Sequence, residues 1–270
     1  MELFDTHFHL SSDCTLEEFL NKISADLKLN AELFQTPVER MILMCAGDSF
    51  DSSLEAQKFA ADISDGYFSV GVHPHNAEKY LENKEDFSIF RNAPKLRAIG
   101  EIGLDYFYDL ADRISQKKVL AEFLTLALEW DLPAMLHLRD KDGCFDAYSD
   151  AYGLLTDFAG NGGRFVIHCY AGDADFAGKF LDLGGFFGVT GIYTFRAAEN
   201  IRTALAAVPP ERLLIETDSP YLAPVPFRGR TNTPGMVGLV AAKLGADRNM
   251  TPEKAAQFFS DNGKKFYGIS

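Results

Sequence analysis

The chain has 270 residues, 47% of them hydrophobic, enough to bury a sizeable core as one large α/β domain or two small ones. Its formal net charge of −13 lacks the basic footprint of a protein that grips duplex nucleic acid, so any such contact has to be local and metal-assisted. No run of about 18 apolar residues is present to span a membrane. Acids and histidines interrupt the apolar runs near the N-terminus, unlike a signal peptide. The four cysteines (Cys14, Cys45, Cys144 and Cys169) are scattered with no C-x-x-C pair. That pattern argues against a disulfide framework or a zinc–thiolate site, and the expected compartment is reducing and cytoplasmic.

Short apolar runs alternate with longer amphipathic stretches along the whole chain. Strands are predicted at Leu3–His9, Arg40–Ala46, Tyr67–Val72, Leu96–Ile102, Ala134–Leu138, Arg164–His168, Gly185–Val189 and Leu213–Thr217. Between the first two, Leu16, Phe19, Leu20, Ile23 and Leu27 share one helix face, and Thr15 with Glu18 forms a capping box ahead of them. Leu120, Phe123, Leu124, Ala127 and Leu128 repeat the helical spacing. Thr251-Pro252 reads as an N-cap followed by proline at the first helical position. Eight strand–helix units in one chain predict a parallel sheet closed as a (β/α)8 TIM barrel, a single domain over residues 1–270. A doubly wound open sheet is the competitor. It would usually carry a glycine-rich turn after its first strand, where this chain has His9-Leu10-Ser11-Ser12.

The six histidines then fall into place. His7 and His9 end the first strand, and the alternation of a strand points both to one face with Asp5 below them. His73 and His75 follow strand three in G-V-H-P-H. His137 ends strand five and His168 ends strand six. All lie at or beyond the C-terminal ends of strands, where barrel enzymes build their sites. Glu101, in A-I-G-E-I-G-L-D, and Asp218, in L-L-I-E-T-D-S-P, share that placement. A carboxylate in so apolar a setting needs a cation or a histidine partner, although Asp218 would also serve as a turn initiator before Ser219-Pro220. Imidazoles and carboxylates without thiolates suit zinc, manganese, iron or magnesium. Four histidines and two carboxylates exceed one tetrahedral ion, whereas two ions sharing a carboxylate use them all.

These segments resemble the TatD family of metal-dependent deoxyribonucleases, within the amidohydrolase-like barrels. The likeness runs from D-T-H-F-H-L through G-V-H-P, A-I-G-E-I-G-L-D-Y, H-L-R-D, I-H-C-Y and G-I-Y-T-F-R-A-A to E-T-D-S-P-Y-L-A-P-V-P-F-R-G-R-T-N-T-P, nearly the whole chain. The resemblance implies two divalent ions (Mg²⁺, Mn²⁺ or Zn²⁺), one held by His7, His9 and Asp218 and one by His137 and His168, with Glu101 bridging. It places His73 close to the substrate or to metal-bound water and Arg139 with Asp140 in the family's R-D pair, followed here by Lys141 in place of alanine. His75 lies outside the family pattern and is not counted as a ligand.

On this reading Asp218 is the general base for a water acidified by the ions. Arg196 and Arg228, in loops at the expected rim, balance phosphate charge unless they form surface salt bridges. Aromatic residues also cluster near that rim, and Tyr106 and Tyr170 are the two singled out to stack on bases. Three functions compete. The first is an exonuclease trimming single-stranded DNA ends. The second is a hydrolase of a small amide, lactone or phosphotriester, or of an aminoacyl-tRNA ester. The third is a barrel merely braced by metal, which is disfavoured because structural sites are closed and favour cysteine. The sequence points to single-stranded or short DNA as substrate and to no membrane or obligate protein partner.

Overall fold

The computed structural model describes residues 1–10 and 15–270. Ser11, Ser12 and Cys14 lie outside the described residues. Eight parallel strands follow one another in sequence order around the sheet: β1 (Glu2–Phe8), β2 (Arg40–Cys45), β3 (Gly66–Val70), β4 (Leu96–Asp105), β5 (Ala134–Arg139), β6 (Phe165–Ile167), β7 (Phe186–Val189) and β8 (Leu213–Ile215). Helices α1 (Leu16–Phe34), α2 (Phe50–Asp62), α3 (Ala77–Glu82), α4 (Arg113–Trp130), α5 (Asp146–Gly160), α6 (Ala174–Asp182) and α7 (Glu199–Ala206) fill the crossovers. Helices α8 (Val237–Ala246) and α9 (Pro252–Tyr267) follow β8. The expected (β/α)8 barrel is the observed architecture.

The local signals behave as their chemistry requires. Thr15 and Glu18 form the capping box of α1, and the Thr251 side chain accepts the Lys254 N–H at the start of α9. Period-2 alternation sorts the strands into two layers: Leu43 and Cys45 of β2 join the outer core against the helices, while Ile42 and Met44 face the barrel interior. Phe266, Tyr267 and Ile269 at the end of the chain pack with that inner cluster, beside Phe4 and Phe186 near the starts of their strands. The inner layer at the bottom of the barrel is therefore largely apolar, and His7, Glu101, His137 and His168 stand toward the C-terminal ends of the strands.

Between β8 and β1 the seam is closed largely by side chains. The Asp5 carboxylate accepts from Thr217 N at 2.9 Å and Thr217 Oγ1 at 2.5 Å, and the Thr6 hydroxyl donates to Ile215 O at 2.9 Å. Above them Asp218 N donates to His7 O and His9 N to Ser219 O. The buried Asp5 thus belongs to the seam. Burial pushes its carboxyl well above the ordinary range, against the hydrogen bonds from Thr217.

Two strands depart from regular pairing at functionally placed residues. In β1, Asp5 pairs with Leu43 but Phe8 with Cys45, so three steps oppose two. In β4, Ile99 pairs with Ala134 but Ile102 with Leu136, the same irregularity around Gly100-Glu101. Such bulges re-aim a side chain locally. β4 also runs three residues beyond the predicted Ile102, because Gly103 lets it pass close to β5: a Cβ there would stand 1.9 Å from His137 O.

Candidate metal centre

The bulges bring the strand-end histidines and carboxylates to one place. On one side of Glu101, Oε2 lies 3.2 Å from His9 Nε2 and 3.7 Å from His7 Nε2. The two imidazole nitrogens are 3.1 Å apart, and Asp218 Oδ1 lies 3.6 Å from each. On the other side, Oε1 lies 2.8 Å from His137 Nδ1 and 2.9 Å from His168 Nε2, themselves 3.4 Å apart. His73 Nε2 stands 3.8 Å from the same oxygen.

Donors that surround one tetrahedral ion at bonds of about 2.1 Å lie about 3.4 Å from one another. His7, His9 and Glu101 form one group near that spacing, with Asp218 Oδ1 3.6 Å from both imidazole nitrogens as a further donor. His137, His168 and Glu101 form a second, with His73 beside the same Glu101 oxygen. Each group takes a different oxygen of one carboxylate, so the residues present fit two divalent cations with Glu101 between them. All the donors are hard or intermediate nitrogen and oxygen atoms, which fits zinc, manganese or magnesium.

Without a cation these groups satisfy one another. Burial alone would raise the Glu101 carboxyl, but His168, His73 and the hydrogen bonds from His137 and His168 bring it well below the usual range. Burial opposes charge on His9, yet Glu101 and then Asp218 push it up to about 9. His7, fully buried and crowded by His168 at a ring separation of 4.0 Å, is held well below its ordinary value. Burial, offset by His168 and His9, pushes Asp218 up to about 6. Asp218 and Cys169 both hold left-handed backbone, at φ 55° and 46°, where the chain turns out of β8 and β6 at the site.

Two carboxylates behind the cluster were missing from the sequence reading. Asp105 Oδ2 lies 3.2 Å from His137 Nε2 and 2.9 Å from His75 Nε2. Glu216 Oε1 lies 3.5 Å from His168 Nδ1 and accepts the Cys169 N–H at 2.5 Å. Both were within reach of the alternation rule, since Asp105 follows Glu101 by four residues and Glu216 precedes Asp218 by two.

The cluster opens into a cavity of about 1920 Å³. His9, His73, Arg139, Lys141 and Tyr221 are among its walls. Arg139 is stacked over Phe107 at 4.3 Å and Tyr108 at 4.8 Å, while its neighbour Asp140 accepts the Ala147 N–H and caps α5.

Several expected substrate contacts are not brought there. Tyr170 is only 2% exposed, its ring packed edge-on to Phe187 and its hydroxyl donating to Asp173 O, so it has no face to offer a base. Tyr106 is buried likewise, with its hydroxyl on Asp150. Arg196 and Arg228 are exposed but are not among the cavity's walls, and Arg228 lies over the Phe195 ring at 4.6 Å. The aromatic faces at the mouth are Tyr108, 52% exposed, and Tyr221, 63% exposed.

A parallel (β/α)8 barrel with a histidine–carboxylate cluster at its C-terminal end is an architecture on which metal-dependent hydrolysis can be built, and the comparison with known proteins places the chain among metal-dependent hydrolases. A family model described as TatD related DNase matches residues 4–268, and the chain belongs to the TatD family. It is 34% identical to an uncharacterized metal-dependent hydrolase, YcfH of Escherichia coli K12, over all of this chain and 97% of the relative. It is 31% identical to the 3'-5' ssDNA/RNA exonuclease TatD of a Rahnella species, over 84% of this chain and 87% of the relative. Among solved structures, the TatD homolog YjjV of Escherichia coli K12 superposes with a TM-score of 0.80 at 27% identity, covering 99% of this chain and 98% of that one.

Proposed function

We propose that this protein is a two-cation exonuclease that trims single-stranded nucleic acid from an end, with DNA as its substrate. The observation that carries the reading is Glu101, whose two oxygens each face a separate group of donors at the floor of an open cavity. His7, His9, Asp218 and Glu101 would hold one cation, and His137, His168 and Glu101 the other. Bound there, the cations supply Lewis-acid chemistry, acidifying a water and neutralising charge on a phosphodiester. Asp218, at the cavity wall, takes the proton of the attacking water and returns one to the leaving oxygen. Arg139, held flat by Phe107 and Tyr108, presents paired N–H donors to a phosphate. The cavity exceeds the roughly 300–1,000 Å³ of small-molecule pockets, which suits several nucleotides of an extended strand. The relative named as a 3'-5' ssDNA/RNA exonuclease supports the same substrate class.

The net charge of −13 favours a second reading, a neutral ester or amide cleaved by the same groups. End-labelled single-stranded DNA separates the two. Metal-stripped protein resupplied with Mg²⁺, Mn²⁺ or Zn²⁺ should release nucleotides from one labelled end. A folded protein that binds two cations and releases none would transfer the reaction to a carbonyl or small phosphoester substrate.

A further inference from the structure

Asp105 is buried in β4, and all its hydrogen-bonding capacity is in use. Oδ1 accepts the backbone N–H groups of Phe107 at 3.0 Å and Tyr108 at 2.9 Å, which fixes the carboxylate plane. Oδ2 faces two imidazoles, His137 Nε2 at 3.2 Å and His75 Nε2 at 2.9 Å. An anion can only accept, so the ring nitrogens turned toward it must carry protons. A ring with one proton on Nε2 has its lone pair on Nδ1. In His137 that nitrogen lies 2.8 Å from Glu101 Oε1 and 3.4 Å from His168 Nε2, so without a cation it too carries a proton; that is the proton a cation beside Glu101 would displace, while Asp105 retains the one on Nε2.

We propose that Asp105 is a positioning residue that commits His137 to the Nε2–H tautomer, so that Nδ1 alone is offered to the second cation. This rests on the reading of His137, His168 and Glu101 as a cation site. The other imidazole of that group has a longer contact of the same kind. His168 Nδ1 lies 3.5 Å from Glu216 Oε1, an oxygen that also accepts the Cys169 N–H at 2.5 Å. His75 fills the remaining lone pair of Asp105 and is not itself a ligand in this arrangement.

Asp105→Asn tests the assignment because it keeps the shape of the side chain. Its oxygen goes to the Phe107 and Tyr108 amides, so its NH₂ faces His137 and favours the opposite tautomer. Removing such support typically weakens metal binding by about 10–100-fold. Titration of the metal-free proteins with Zn²⁺ should show two bound ions in the parent chain. In Asp105→Asn one ion should be weakened by that factor and the other left within about threefold. Equal affinities for both ions in parent and variant would overturn the proposal, as would a parallel loss at both sites, the mark of general damage. Fewer than two ions in the parent would overturn the two-cation reading beneath it. An independent arm needs no variant: ¹⁵N NMR of the zinc-loaded, histidine-labelled parent should show His137 protonated at Nε2, and a proton at Nδ1 would overturn the assignment.

Discussion

At the scale of single residues, the site divides into groups that carry charge in the reaction and groups that hold them still. Asp218 belongs to the first: its carboxyl stands among His7, His9 and Glu101 and turns into the cavity from left-handed backbone. Asp218→Asn should lower kcat for oligonucleotide cleavage by about 10²–10⁴-fold, the usual worth of a positioned acid or base. A loss below tenfold would assign the proton to another group. Tyr108 and Tyr221 offer exposed faces at the mouth, so alanine at either should raise KM for single-stranded DNA with little change in kcat. Stacking is worth about 1–3 kcal/mol per base. Tyr170→Phe makes the opposite case, because it removes only a hydroxyl bonded to Asp173 O. It should reduce stability to urea by about 1 kcal/mol and leave kcat/KM unchanged.

At the scale of elements, strand order and strand ends were legible because apolar runs, caps and prolines are local signals. All eight predicted strands formed, most within one or two residues of their expected bounds. The histidines could be placed at one rim for the same reason. The bulges in β1 and β4 were not legible: one extra residue in a strand leaves no periodic trace, and only the glycines of A-I-G-E-I-G-L-D hinted at close approach. Nor could the sequence tell a buried tyrosine from an exposed one, since Tyr106, Tyr108 and Tyr170 follow similar strand ends and only the packing of α5 and β7 separates them. Gly103 is the element-scale test. Alanine there, at φ 152° and against His137 O, should destabilise the protein by more than about 1 kcal/mol and displace His137. An unchanged denaturation midpoint would mean that β4 and β5 can separate without loss.

For the molecule as a whole, apolar packing at the bottom of the barrel supports a charged top, and the net charge of −13 sets how a polyanion arrives. Screening should relieve repulsion, so kcat/KM on single-stranded DNA should hold or rise between about 50 and 200 mM salt, where a basic nuclease would lose affinity steeply. Protons also compete for the centre. Metal-free His9 holds its proton up to about pH 9 because Glu101 and Asp218 favour the cation. Metal binding must displace that proton, so affinity should fall as pH drops below 9 and calorimetry at neutral pH should record proton release. The most direct test of the shared-carboxylate centre is the number of Mn²⁺ ions bound per chain, counted by titrating the metal-stripped protein. Two ions in the parent chain, and loss of at least one with Glu101→Gln, are the predicted result. A single ion in the parent, or two bound as tightly without the Glu101 carboxylate, would contradict it.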